Sequence, residues 1–375
     1  MKRAILPLVF WSCLSSTGLC QTAHIDKAKD AGTLVPLPMS VGGRVLHQTD
    51  ASCRAFGTKC YVYQWPGTYF EAAFRGHEIF FEVGRGDEIL HVTVDHQNPL
   101  VLVKPEPGVY SVSGLSDGSH SVRLEVVSES QGGPDGFGGF ALPASGKILK
   151  PKKRRRQIEF IGDSHTVGYG NTSQTRECPN DGVWRTTDNS QAFGALTAKH
   201  YNADYQINAI SGRGIVRNYN GFVGDPVPVA YPYVLFDKKD RYEDRSWQPQ
   251  IIVIALGAND FSTPLNAGER WKSREELHAD YEKTYTQFVQ SLRKDHPHAY
   301  FLLWATDAAN GEIQSEVKKV VSQLAATGET RVALIPVNGL SMNACDWHPS
   351  IADDQRIAGK LMEFIDANPK LWQGK

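Results

Sequence analysis

Residues 157–170 constrain this chain more than any other stretch. An apolar run, Ile158 to Ile161, reads as a short buried strand that stops at Gly162, and Ser164 follows two positions on. Glycine permits a tight turn that a Cβ would obstruct. A serine just past a strand's carboxyl end stands where open α/β sheets hold their ligands. Two readings follow: Ser164 is a nucleophile that needs a base, or it caps a helix that starts in the same turn.

From here on strand and helix patterns alternate. Strands are predicted over Ile158–Ile161, Asp204–Ala209, Ile251–Leu256, Tyr300–Ala305 and Val332–Val337. Three of these are nearly unbroken apolar runs, as strands covered on both faces should be. Helices are predicted over Gln191–Tyr201, Arg274–Lys294, Glu312–Ala326 and Ile351–Asp366; Ser273 and Glu276 form a capping box ahead of the second, and Pro349 precedes the last. Such alternation implies a five-stranded parallel sheet with helices on both faces.

The preceding half is different. Val45–His47, Cys60–Gln64, Tyr69–Phe74, His77–Val83, Glu88–Val94, Leu100–Val103, Gly108–Val112 and Ser121–Val127 are short runs rich in Val, Ile, Phe and Tyr, separated by Gly and Pro turns. Strands at that spacing predict a two-sheet sandwich or jelly roll, with the unit over residues 35–145. It reads as a support for the second half or as a glycan-binding face. Ser128–Gly139, with five glycines, and the basic run Lys150–Arg156 read as a flexible connection and a solvated linker. The second unit then spans 157–375.

In a parallel sheet all strands end on one edge, so loops distant in sequence meet there. That edge collects Ser164, the glycine loop 210–215 with Gly212, the Asn259 amide after the third strand, and Asp346 with His348 after the fifth. These are the parts of acyl transfer: Ser164 as nucleophile, His348 as base, Asp346 as the acid that orients the imidazole. The Ser164 and Gly212 N–H groups and the Asn259 amide would bind the oxyanion. Singly each has a duller reading, since Gly212 suits a turn and Asn259 an Asx turn.

Gly162–Asp163–Ser164, Gly212, Gly257–Ala258–Asn259 and His348 resemble the four blocks of the SGNH (GDSL-type) hydrolases. Asp346–Pro349, Ser211–Asn218 and Asn259–Pro264 look like carbohydrate esterase family 2. That family carries a jelly roll ahead of its hydrolase domain and removes acetyl groups from plant polysaccharides, with a preference for sugar 6-hydroxyl positions. One residue separates Asp346 from His348, where the superfamily usually has two, and some of family 2 are understood to use a serine–histidine dyad. The resemblance also implies a small acyl pocket, with Arg213, Asn218 and Asp260 among its substrate contacts. The insert 219–250 is rich in aromatic residues; Tyr233 there, and Trp347 beside the base, are the expected sugar platforms. A lipase or arylesterase of the same fold, or a catalytically silent glycan binder, are the competing functions.

Lys2 and Arg3, the short apolar core Ala4–Leu14, and Gly18 and Cys20 suggest a secretory signal over residues 1–20, hence a secreted or periplasmic protein. An oxidising compartment permits disulfides. Cys53 and Cys60 would close a small loop; Cys178 and Cys345 would clamp the catalytic loop, unless they stay free thiols. With 40 Lys and Arg against 41 Asp and Glu, no basic field marks a nucleic-acid partner. No Cys/His cluster has metal spacing, no run after the signal spans a membrane, and no cofactor is expected. The expected partner is an acetylated polysaccharide or oligosaccharide; oligomeric state is not legible.

Overall fold

The computed structural model describes residues 23–28, 32–49, 53, 55–57 and 59–373. The signal expected over 1–20 lies outside them. Two antiparallel sheets come first, then a parallel sheet of five strands.

The antiparallel sheets pack face to face over a core of Phe70, Phe74, Phe81, Leu90, Val92, Leu124, Phe137 and Phe140. The eight predicted strands are all present, their ends within three residues of those expected. The sheets also take in His24–Lys27 and Lys147–Leu149, beyond the expected limits of the unit.

One reading is corrected. Part of the expected flexible connection is the strand Asp135–Pro143, buried except at its last residue. It pairs with Ile79–Val83 and with Cys60–Tyr63. Its glycines reflect close approach: a Cβ on Gly138 would stand 2.2 Å from Glu82 Oε2. The basic run is not merely solvated either. Arg154 donates to Glu71 of the sandwich at 2.8 Å and to Asp204 of the parallel sheet at 2.9 Å.

The parallel strands are Gln157–Gly162, Asp204–Ala209, Ile251–Ala255, Tyr300–Thr306 and Val332–Val337, in spatial order two, one, three, four, five. The order reverses between the first and third strands, the switch point at which such sheets bind ligands. Side chains alternate across the sheet. Phe160 and Val253 face helices Phe193–His200 and Ile351–Ala367. Ile161 and Ile254 face Arg274–Asp295 and Glu312–Ala326. Leu277, Tyr281, Tyr285, Phe288, Val289 and Leu292 make the buried stripe of the long helix Arg274–Asp295. Each such side chain contributes about 1.5–3 kcal/mol on burial.

The sandwich is locked to this sheet by a buried polar knot. Arg44 bonds Glu159 of the first parallel strand at 3.3 Å and lies over the Tyr231 and Tyr242 rings. Glu159 also accepts from Asn208 at 2.6 Å, Tyr231 at 2.7 Å and Trp247 at 3.1 Å. Breaking such a buried pair from one side costs about 3–5 kcal/mol. Tyr231, Tyr242 and Trp247 of the aromatic insert are therefore packed onto the body.

Candidate active site

The first parallel strand ends at Gly162, where a Cβ would stand 2.0 Å from Thr166 Oγ1 and 3.0 Å from the Ala255 carbonyl. Only glycine lets the chain turn so tightly there. Asp163 then caps the single-turn helix Ser164–Val167 by accepting from His165 N–H at 3.1 Å. The cap is the aspartate, so the Ser164 hydroxyl is not spent on capping this helix.

Ser164 Oγ lies 2.8 Å from His348 Nε2. His348 Nδ1 stands 3.0 Å from the Cys345 carbonyl and 3.1 Å from the Asp346 carbonyl. Carbonyls only accept, so Nδ1 carries the proton and Nε2 presents its lone pair to the serine. Burial holds the His348 ring below the ordinary histidine range, against the pull of the two carbonyls and the Asp346 charge. A neutral imidazole is thereby favoured.

Asp346 does not orient the ring in the way expected. Its carboxylate accepts from Tyr169 Oη at 3.0 Å, and the residue is exposed. What it gives the imidazole is its backbone carbonyl. The chain manages this by taking left-handed backbone at Asp346 and Trp347, with φ of 49° and 57°. Non-glycine residues adopt that region at a cost of about 1–3 kcal/mol each. Three anchors hold the loop. Cys345 is disulfide-bonded to Cys178, with a Cα separation of 5.5 Å. Asp346 N–H donates to the Arg176 carbonyl at 2.8 Å, and the Arg176 guanidinium donates to the Met342 and Ser341 carbonyls at 2.8 and 2.9 Å. The second disulfide joins Cys53 and Cys60.

Asn259 stands at the amino end of the turn after the third strand. Its amide donates to Asp163 at 3.0 Å and to the Arg213 carbonyl at 2.9 Å. It therefore ties the Ser164 turn to the loop that carries Gly212. Burial, then the nearby Asp260 charge, pushes the Asp163 carboxyl up to about 7.

Asp260 and Asn218, expected against substrate, are buried scaffolding. Asp260 accepts the Ile215, Val216 and Arg217 N–H groups at 2.9–3.0 Å, and burial raises it to about 6 against those bonds. Asn218 donates to the Gly224 carbonyl at 2.9 Å. Each carboxylate or amide here replaces the hydrogen bonds a non-repetitive loop lacks. Arg213 lies over the Phe222 ring at 4.7 Å. Tyr233 is engaged with the sandwich, its carbonyl accepting from Trp65 Nε1 at 3.1 Å. Trp347, by contrast, is 64% exposed beside the base.

Sequence reasoning missed Tyr169, whose ring centroid lies 4.2 Å from that of His348, and His165, which stacks on Trp304 and is 5.5 Å from His348. Burial, then the His348 charge, pushes His165 down to about 3. Both residues lie in the 157–170 stretch, but an aromatic residue after a turn carries no signal that separates packing from site.

Residues 54–151 match the family described as Carbohydrate esterase 2 N-terminal, and 160–361 the GDSL-like Lipase/Acylhydrolase family. An acetylxylan esterase / glucomannan deacetylase of Cellvibrio japonicus is 46% identical over 343 residues, 91% of this chain and 94% of that one. The chain belongs to the GDSL-type hydrolases, among the family 2 carbohydrate esterases. This esterase is also 32% identical over 323 residues to the cellulase/esterase CelE of Acetivibrio thermocellus, of which the match spans 37%. Among solved structures, a carbohydrate esterase described as having divergent catalytic and non-catalytic binding functions superposes with TM-score 0.83. It is 45% identical, over 90% of this chain and 99% of that one. The family two carbohydrate esterase of Clostridium thermocellum, in complex with cellohexaose, gives TM-score 0.77 at 28% identity, over 89% of this chain and all of that one. The enzyme is a serine carboxylic-ester hydrolase by family. Among the described residues no helix is long and apolar enough to cross a membrane.

Proposed function

We propose that the protein is a secreted O-deacetylase acting on acetylated plant-type polysaccharides or oligosaccharides, with sugar 6-O-acetyl groups preferred. The observation that carries the mechanism is the 2.8 Å contact from Ser164 Oγ to a His348 whose Nδ1 proton is held by backbone carbonyls. The 46% identity to an enzyme named for acetylxylan and glucomannan supports the substrate class.

Ser164 Oγ attacks the acetyl carbonyl while its proton passes to His348 Nε2. The oxyanion is received by the Ser164 and Gly212 N–H groups and by the Asn259 amide, which exchanges its bond to the Arg213 carbonyl for one to the oxyanion. His348 returns the proton to the departing sugar oxygen. Water, deprotonated by His348, then attacks the acetyl-enzyme, and acetate leaves as Ser164 recovers its proton. Trp347 offers its exposed face to a sugar ring. Catalysis belongs to the unit over 157–375, and the sandwich over 35–145 supports it.

Acetate release from acetylated xylan, acetylated glucomannan and 4-nitrophenyl acetate tests the reading, with Ser164→Ala beside the wild type. The variant should lose activity by several orders of magnitude, and 4-nitrophenyl octanoate should turn over far more slowly than the acetate. A Ser164→Ala protein with wild-type turnover refutes the mechanism; equal kcat/KM on the two esters refutes the small acyl pocket.

A further inference from the structure

The sandwich loop between strands Gly118–Val126 and Asp135–Pro143 reaches the loop expected to bind the oxyanion. Glu129 Oε1 accepts the Ser211 N–H at 2.8 Å. Gln131 Nε2 donates to the Ser211 carbonyl at 3.2 Å and to Glu129 Oε1 at 3.0 Å. The segment is itself held to the sandwich: Gln64 Nε2 donates to the Ser130 and Gln131 carbonyls at 3.3 and 3.4 Å, and Ser130 Oγ to the Asp87 carbonyl at 3.4 Å.

The Ser211 carbonyl and the Gly212 N–H belong to one peptide unit. A trans peptide is planar, with its C=O and N–H on opposite sides. Whatever fixes the carbonyl therefore fixes the direction of the N–H. Gly212 lies at φ +79°, where glycine is free to rotate that plane at little cost. On the far side Tyr219 N–H donates to the Gly212 carbonyl at 2.9 Å. Gln131 restrains the Ser211–Gly212 plane itself, and Glu129 holds the N–H of the preceding peptide unit.

We infer that Gln131, held by Glu129, is a positioning residue that aims the Gly212 N–H at the oxyanion, so that this loop of the sandwich completes the hydrolase site. The inference rests on the serine mechanism proposed above. It assigns this segment a part in the reaction rather than in support alone. Donors preorganised toward developing charge act on the transition state and hardly at all on the bound ester. The loss of Gln131 therefore appears in kcat. It is smaller than the ~10²–10³-fold expected from deleting a donor outright, because the N–H remains and only its aim is released.

The experiment compares Gln131→Ala and Gln131→Glu with the wild type and with Ser164→Ala. It measures 4-nitrophenyl acetate kinetics and the inhibition constant of phenylboronic acid, which forms a tetrahedral adduct with an active serine. Gln131→Glu packs alike but presents an ionised acceptor to the Ser211 carbonyl. Gln131 is exposed, so both variants should fold as the wild type does. Each should lower kcat about 10-fold with KM within about twofold, and phenylboronic acid should weaken by the same factor as kcat. Wild-type kcat in either variant, or a loss confined to KM, overturns the inference while leaving the serine mechanism standing. A Ser164→Ala protein that still turns over removes both.

Discussion

Replacing Asp346 by asparagine separates two ways of holding the catalytic histidine. In a triad with a buried aspartate the same change costs about 10⁴ in kcat, because the ring loses its tautomer. Here the Nδ1 proton already has two acceptors, the Cys345 and Asp346 carbonyls, and asparagine retains both. Asparagine also tolerates the left-handed backbone that Asp346 occupies at φ 49°. What the substitution removes is the carboxylate's charge and the better acceptor for Tyr169. A hydrogen bond of that kind contributes about 0.5–1.5 kcal/mol. The charge of an exposed carboxylate near the imidazolium adds on the order of 1 kcal/mol. Together these amount to about 1.5–2.5 kcal/mol, or a loss of roughly 10- to 70-fold in kcat/KM. The assay is 4-nitrophenyl acetate hydrolysis at pH 8, with thermal unfolding as the control for structure. A loss of 10³ or more in a normally folded Asp346→Asn protein would show that the carboxylate, not the backbone, orients His348, and the dyad argument would fail.

The pH profile should follow His348: burial holds its folded-state value below that of a free histidine, so the base stays neutral further into acid. The acid limb of kcat/KM should then have its midpoint below ~6.5, and a midpoint above 7 would contradict the assignment. The Cys178→Ser, Cys345→Ser double variant opens a bridge of 167 residues, for which the chain-entropy model gives a stability loss of up to about 5 kcal/mol. It should also lower kcat, since the bridge anchors the backbone whose Cys345 carbonyl meets His348; a destabilised protein with unchanged kcat would mean that Arg176 alone positions the loop. Asp135 in the sandwich is raised by burial to about 6. A carboxyl whose folded value exceeds its unfolded one binds protons more tightly when folded, so its ionisation costs stability as pH rises from about 4 through 6. Asp135→Asn should therefore gain on the wild type by about 2–3 kcal/mol between pH 4 and pH 8, and chemical denaturation showing a flat difference would refute it.

The sequence by itself determined what is local. Unbroken apolar runs such as Ile251–Ala255 and the amphipathic stripe of Arg274–Asp295 follow from side-chain periods of two and 3.6 residues, and those repeat within a few neighbours. Parallel strands then put their ends on one edge, so Ser164, Asn259 and His348 were legible as one group from position alone. The pairing of Cys178 with Cys345 was legible for the same reason. Tertiary structure decided which atoms of those residues face one another. Asp346 meets the His348 imidazole through its carbonyl because two left-handed residues turn the loop back on itself, a backbone choice its side chains do not announce. Asp260 looked like a substrate contact and is a scaffold, because three N–H groups of a loop far off in sequence converge on it. The glycines of Asp135–Pro143 read as flexibility and are close contact, since only the neighbouring strands reveal the missing space. Gln131, in the loop just before that strand, carries no motif. Its partner is a carbonyl, and every residue has one, so only the folded chain could say which.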